Sequence, residues 1–349
     1  MLAITLHDLR FRARQFVIAV VGAGLVFAMA LLLSGLAAGL SFEIDHTVAG
    51  MHVQDWVVAK GSSGRLGSMS PVPASLGPEV AQLPGVRRAS PVAVVLQAAQ
   101  VGTRTESVVL VGAMRSGLGW PTVIQGRAVR SPGEAVVDQR LGLGIGRHFR
   151  ISGTSFTVVG TVEDMTLLGG VPNTYVSLSD AQAAAFGGRP LVSAFVVRGA
   201  PQGPPPGLAV LTDAQVEAAS LDQMSPFVSS IGNSRSLMWV IAAIIVAALV
   251  YVSALERTRD FAVLKALGSS SSNLFFGLAV QAVLVALAAA ALAAVLVNEM
   301  TGVFKQPVHI PASAFWVLPA SALVVGLLSS LVALRRAVSV DPAAAFSGA

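Results

Sequence analysis

The sequence predicts a membrane protein: α-helical, with four transmembrane helices and a large α+β extracytoplasmic domain inserted between helices 1 and 2. Three observations carry that reading. The 349 residues are 54% hydrophobic and only 12% charged, with a mean hydropathy of +0.73, too apolar for a soluble chain of this length. Apolar runs stand at 16–40, 236–255, 274–297 and 315–334, each long enough to cross a bilayer. Between the first two runs, residues 41–235 change character: Gly and Pro become frequent, and short β-rich stretches alternate with turn signals.

Residues 1–15 carry Leu2, Leu6, Leu9 and Ala13 at helical spacing, continued by Phe16, with His7, Arg10 and Arg14 on the opposite side. The pattern predicts a cytoplasmic amphipathic helix lying on the membrane with its basic side to the headgroups. Phe16 to Leu40 holds no charge. Its ~25 residues at ~1.5 Å each reach ~37 Å, enough to cross a ~30 Å core with some tilt. A signal peptide has a shorter apolar region of roughly 7–15 residues, so the run reads as an uncleaved first transmembrane helix.

In 41–235 the expected strands are His52–Ala59, Ala93–Val101, Ser107–Gly112, Ala135–Asp138, Phe156–Val162, Thr174–Leu178 and Val192–Val197. Helical pieces are expected at Pro78–Leu83, Ser179–Phe186 and Thr212–Ala219, where Pro78 and Asp213 suit helix starts. Gly199–Gly207 is a Pro/Gly loop. A mixed domain of roughly 190 residues can bury its own core.

After the second run comes a charged cluster, Glu256, Arg257, Arg259, Asp260 and Lys265, which cannot lie in hydrocarbon. Residues 256–268 read as a helix at the membrane face, with Gly268 as its stop and the Ser269–Asn273 run as caps for the next helix. Within it Phe261, Val263, Leu264 and Leu267 share one broad apolar side. Residues 298–314 form a short extracytoplasmic loop and 335–349 a cytoplasmic tail, in which Asp341 and Pro342 start a brief helix. Arg10, Arg12, Arg14, Arg257, Arg259, Lys265, Arg335 and Arg336 all fall on one side of a four-span chain, and only Lys305 on the other short loop. Both termini are therefore expected in the cytoplasm and the large domain outside.

Several function classes fall away. Tyr251 is the only ionisable residue inside an expected span, whereas ion-coupled carriers use intramembrane acids, bases or histidines. The lysines are Lys60, Lys265 and Lys305, and none stands in a G-x-x-x-x-G-K-[ST] loop, so ATP-driven work must come from a partner. His46 and His52 near Asp45 and Asp55 lack metal-ligand spacing and read as surface residues. No G-x-S-x-G is present, and the Gly-rich Leu141–Gly146 reads as a turn between strands. With no cysteine there is no disulfide, thiolate ligand or thiol nucleophile. The net charge of +5 is scattered, without the basic stripe of a nucleic-acid binder.

The segment ERTRDFAVLKALGSSSSNLFFGLAVQAVLVAL resembles the signature of FtsX/MacB-like (type VII) ABC transporter permeases. Glu256 and Arg257 stand at its E-R positions, Ala266 and Gly268 at its A-x-G, and Gln281 where a glutamate is common. Asp260 replaces the usual second glutamate, and a serine run replaces common arginines. GEAVVDQRLGLGIGRHFRISGTSFTVVGTVED is similar to a segment of the family's outer domain, and LRRAVSVDPAAAF to its C-terminal motif.

The resemblance implies a permease subunit that works by mechanotransmission. Two copies of the permease would sit in the lipid bilayer of the bacterial cytoplasmic membrane above a separate ABC ATPase. ATP and Mg would be bound by that partner, and no cofactor by this chain. The coupling residues would be Glu256, Arg257, Arg259, Asp260, Phe261, Leu264, Lys265 and Gly268. The substrate would be a lipid, peptide or drug-like molecule handled at the outer face. The alternative is an FtsX-like regulator that opens an extracellular cell-wall hydrolase without transport. A membrane-anchored enzyme is disfavoured by the missing catalytic motifs.

Overall fold

The computed structural model describes residues 13–256, 271–300, 308–314, 316–317 and 320–328. These divide into two compact units, one formed by Gly39–Phe227 and the other by the remaining described residues.

The elements follow in order. Helix α1 (Ala13–Gly50) leads to β1 (Asp55–Ala59), β2 (Val72–Pro73), α2 (Gly77–Ala81) and the hairpin β3 (Val86–Val101) and β4 (Arg104–Ala113). Then come β5 (Gln125–Gly126), β6 (Glu134–Asp138), β7 (His148–Ile151), β8 (Thr154–Val162), β9 (Thr166–Leu167), β10 (Val171–Ser177) and α3 (Leu178–Phe186). The chain continues through β11 (Leu191–Val192), β12 (Ala194–Gly199) and β13 (Leu208–Thr212) into α4 (Asp213–Glu256), and resumes with α5 (Ser271–Met300).

In the Gly39–Phe227 unit the main sheet runs β13-β1-β12-β3-β4-β10-β6-β8-β5, with β10·β4 and β6·β8 parallel and the other pairs antiparallel. β7 pairs with both β3 and β8. The strands β3, β4, β10, β6, β8 and β7 therefore close into a ring, and closure removes free edges. Leu110, Val137, Phe149, Ile151, Phe156, Val158 and Val176 share one buried cluster inside it, plugged by Ala181 and Ala184 of α3. Phe149 and Phe156, opposite one another in the β7·β8 register, stack at 5.5 Å. The other face of the sheet builds a second core from Trp56, Val94, Val111, Val136, Tyr175 and Val196.

All seven expected strands and the three expected helical starts are present, with ends shifted by a few residues. β2, β5, β7, β9 and β13 are additions. The larger difference lies in the helices. α1 continues past residue 40 to Gly50, and α4 runs unbroken from Asp213 through Pro226 to Glu256, where a short helix at Thr212–Ala219 and a separate span were expected. Ile44, Val48 and Met51 recur at helical spacing and are buried in the second core, which draws α1 onward.

In the other unit, Ala282, Ala286, Ala289, Ala290 and Ala293 of α5 are buried in one cluster with Ala23, Phe27 and Leu31 of α1 and Ala242 and Val246 of α4. Small residues let helices approach closely. A Cβ on Gly24 would stand 2.9 Å from the Leu292 side chain, and one on Gly326 2.9 Å from the Val283 backbone. Phe27 and Trp239 tilt against each other at 5.3 Å. Among the described residues, the helices long and apolar enough to cross a membrane are Phe16–Gly50, Asp213–Leu249 and Ala279–Glu299. The expected fourth span is described only in part, with residues 320–328 helical.

Candidate functional site

The residues expected to meet an ATPase begin at Glu256, the last described residue of α4, which is exposed. Arg257, Arg259, Asp260, Phe261, Leu264, Lys265 and Gly268 lie outside the described residues. Gln281 is buried and is not without a partner.

The other ends of the same helices are fully described. In the last turns of α1, the buried carboxylate of Glu43 accepts from the backbone N–H groups of Gly169 (3.1 Å) and Gly170 (2.7 Å). One turn on, the Thr47 hydroxyl donates to the Thr166 carbonyl at 2.9 Å. The loop between β8 and β10 is thus fastened to α1 by two side chains. It is held from below by Asp138 of β6, whose Oδ2 accepts from Met165 N at 2.8 Å and whose Oδ1 accepts from Arg140 N at 2.9 Å. Burial pushes the Asp138 carboxyl above its ordinary range, and those backbone donors oppose the push. Burial also raises Tyr175.

The start of α4 is fastened to the same sheet. Trp56 of β1 donates from Nε1 to Asp213 Oδ1 at 2.6 Å, and Leu66 N donates to the Ser220 hydroxyl at 3.1 Å. Val216 and Leu221 pack on the second core, which Ile44 and Val48 of α1 and Met51 just after it also enter. β1 follows α1, β13 precedes α4, and the two strands pair along their length from Asp55↔Thr212 to Ala59↔Leu208. None of Glu43, Thr47, Asp138 and Trp56 was expected as a functional position. The signal for the first two was the spacing of Ile44, Val48 and Met51, which marks a continuing helix.

His46 stacks on Phe42 at 5.2 Å, and the His52 carbonyl accepts from Arg198 Nε. Among the described residues no group of His, Cys, Asp and Glu is placed to hold a metal. The Gly-rich stretch is a turn between β6 and β7, with Gly142 left-handed.

Residues 17–222 match the family model of the MacB-like periplasmic core domain, and residues 236–342 that of the FtsX-like permease C-terminal region. Over the full length of both chains the sequence is 39% identical to an ABC transporter permease of Mycobacterium bovis. It is 36% identical, again over 100% of both chains, to another from Mycobacterium tuberculosis. The chain belongs to the FtsX/MacB-like ABC transporter permeases. This permease is a bacterial membrane protein, of a family whose members serve an ABC ATPase. It is also similar to the periplasmic region of MacB from Actinobacillus actinomycetemcomitans, at 12% identity over 47% of this chain and 91% of that one, with a TM-score of 0.35.

Proposed function

We propose that this permease subunit works by mechanotransmission: a separate ATPase, holding ATP and Mg, moves the cytoplasmic end of α4, and the movement reaches the outer domain. The observation that carries the reading is the length and rooting of two helices. α1 has 38 residues and α4 has 44, so they extend ~57 and ~66 Å against a ~30 Å hydrocarbon core. Their far ends enter one hydrophobic core and lead into paired strands. A load on one is shared with the other through that core.

In this reading the working complex holds two copies of the permease in the cytoplasmic membrane, with both termini cytoplasmic. The substrate, a lipid, peptide or drug-like molecule, is exported or extracted at the outer face. The roughly 190-residue outer domain favours this over FtsX-like control of a cell-wall hydrolase. A hydrolase captured by the outer domain would reverse that preference.

Phe261 and Leu264 are the apolar anchors proposed to enter the ATPase groove, with Glu256, Arg257, Arg259, Asp260, Lys265 and Gly268 around them. Truncating hot-spot anchors costs ~2 kcal/mol or more, and ~2.8 kcal/mol weakens binding about a hundredfold. Phe261→Ala with Leu264→Ala is expected to leave the permease inserted and monodisperse while the ATPase no longer co-purifies. An intact complex with undiminished ATPase stimulation refutes the assignment.

A further inference from the structure

The Gly39–Phe227 unit contains a cavity of about 290 Å³ where the end of β4, the 127–134 loop and the start of α3 meet. Its apolar wall includes Val129, Leu178 and Trp120. The indole is fixed in place: Trp120 Nε1 donates to the Met114 carbonyl at 2.8 Å, and the ring packs on the second core. Arg115 and Arg130 are the charged residues of the lining. Neither makes an ion pair or side-chain hydrogen bond among the described residues.

The acids of the surrounding elements are engaged elsewhere. Glu134 holds Arg127 and also accepts from the backbone of Arg130 and Ser131, which fixes the loop that carries Arg130. Asp180 accepts from Gly133 N and the Ser177 hydroxyl. Ser177 caps α3, and its Oγ also lies 2.9 Å from that of the exposed Ser179 at the rim. More positive charge stands alongside: Arg88 donates to the Ser116 carbonyl and lies opposite Arg198 in the β3·β12 register. Like charges directly opposite on a sheet are unfavourable without a counter-charge.

We propose that this cavity binds a small amphiphilic oxyanion. A phosphate or carboxylate head lies between Arg115 and Arg130, whose planar guanidinium groups suit either oxyanion, and a flat apolar body lies on Trp120. The volume is at the lower end of ligand sites and limits the body to about one ring. The site does not depend on the ATPase reading, because binding is measured on the permease alone.

The test uses the purified full chain in phosphatidylcholine nanodiscs, titrated with phenyl phosphate and 3-phenylpropionate by saturation-transfer NMR. Benzyl alcohol and inorganic phosphate serve as half-probes, the phosphate, which has no carbon-bound proton, being read by its displacement of the bound whole probe. One of the two whole probes is expected to bind saturably, the stronger identifying the head, with each half-probe about tenfold weaker or more. Arg115→Gln with Arg130→Gln is expected to weaken binding about tenfold or more at an unchanged Tm. Arg130→Lys, which keeps the charge and loses the planar fork, is expected to fall between. In the unaltered protein the probe is expected to slow amide exchange at 114–120 and 127–134, a readout that needs no variant. Binding unchanged in the double variant, no saturable binding below about 10 mM, or inorganic phosphate bound as tightly as phenyl phosphate would each overturn the proposal.

Discussion

Arg127 and Glu134 hold each other by two hydrogen bonds, of 2.8 and 2.6 Å. The Arg127 guanidinium, with the Arg130 and Ser131 N–H groups, holds the Glu134 carboxyl down to about 2, against an ordinary value of 4.5. A carboxyl lowered by folding contributes stability above its unfolded pKa, and that contribution is lost as pH falls toward the folded value. The window is therefore from about pH 5 down to about pH 2. Asp138 works in the opposite sense, since burial raises it and its ionisation costs stability as pH rises. Comparing Glu134→Gln with the unaltered protein isolates the first effect. The Tm of the unaltered permease is expected to fall more steeply than that of the variant between pH 5 and about 2.5. Parallel curves would mean that the clasp contributes nothing to folding.

At the scale of elements, close helix approach makes a second prediction. A Cβ at Gly326 would meet the Val283 backbone at 2.9 Å, and backbone cannot yield as the end of a side chain can. Gly326→Leu is expected to destabilise the helical unit by about 1–3 kcal/mol, read as a lower Tm in detergent. Gly232→Leu, in α4 with nothing within 4 Å, is the control and should not be destabilised. The elements also show where the sequence was legible. The ring strands other than β7 announced themselves through apolar alternation, as at Phe156 and Val158 of β8. β7 has four residues and β13 follows a Pro/Gly loop, so each is too short or too irregularly flanked to stand out before its partner is known. The sequence reads α4 as two pieces because Pro226 and the nearby Ser, Gly and Asn residues weaken helical propensity, whereas packing of Val216 and Leu221 at one end and Ala242 and Val246 at the other sustains it. The proposed coupling residues rest on the E-R and A-x-G motif alone, and all but Glu256 lie outside the described residues. The cavity was not, because Arg115, Trp120, Arg130 and Ser179 come from separate segments that only the tertiary fold assembles.

For the whole molecule, the arginine distribution makes a topology testable in a chain that has no cysteine to remove. Single cysteines at the exposed Ser63 and Thr103 are expected to react with an impermeant maleimide added to intact cells, while cysteines at Ser270 and Ser347 react only after permeabilisation. External labelling at Ser270 would exclude the four-span arrangement. The order of strands also constrains how the domain is made. β10 sits between β4 and β6, and β1 sits between β12 and β13, in each case pairing with at least one strand separated from it by many residues. As the chain is delivered across the membrane from its N-terminal side, β4 and β6 keep an open edge until Ser177 has emerged. β1 has no partner in the sheet until Ala194 and beyond have followed. Roughly the first half of the domain therefore arrives with strand edges that any neighbouring extended chain can capture. Biogenesis of this permease accordingly hinges on shielding an unfinished sheet, and a shortage of extracytoplasmic chaperones should harm it before it harms proteins whose strands pair in the order of synthesis.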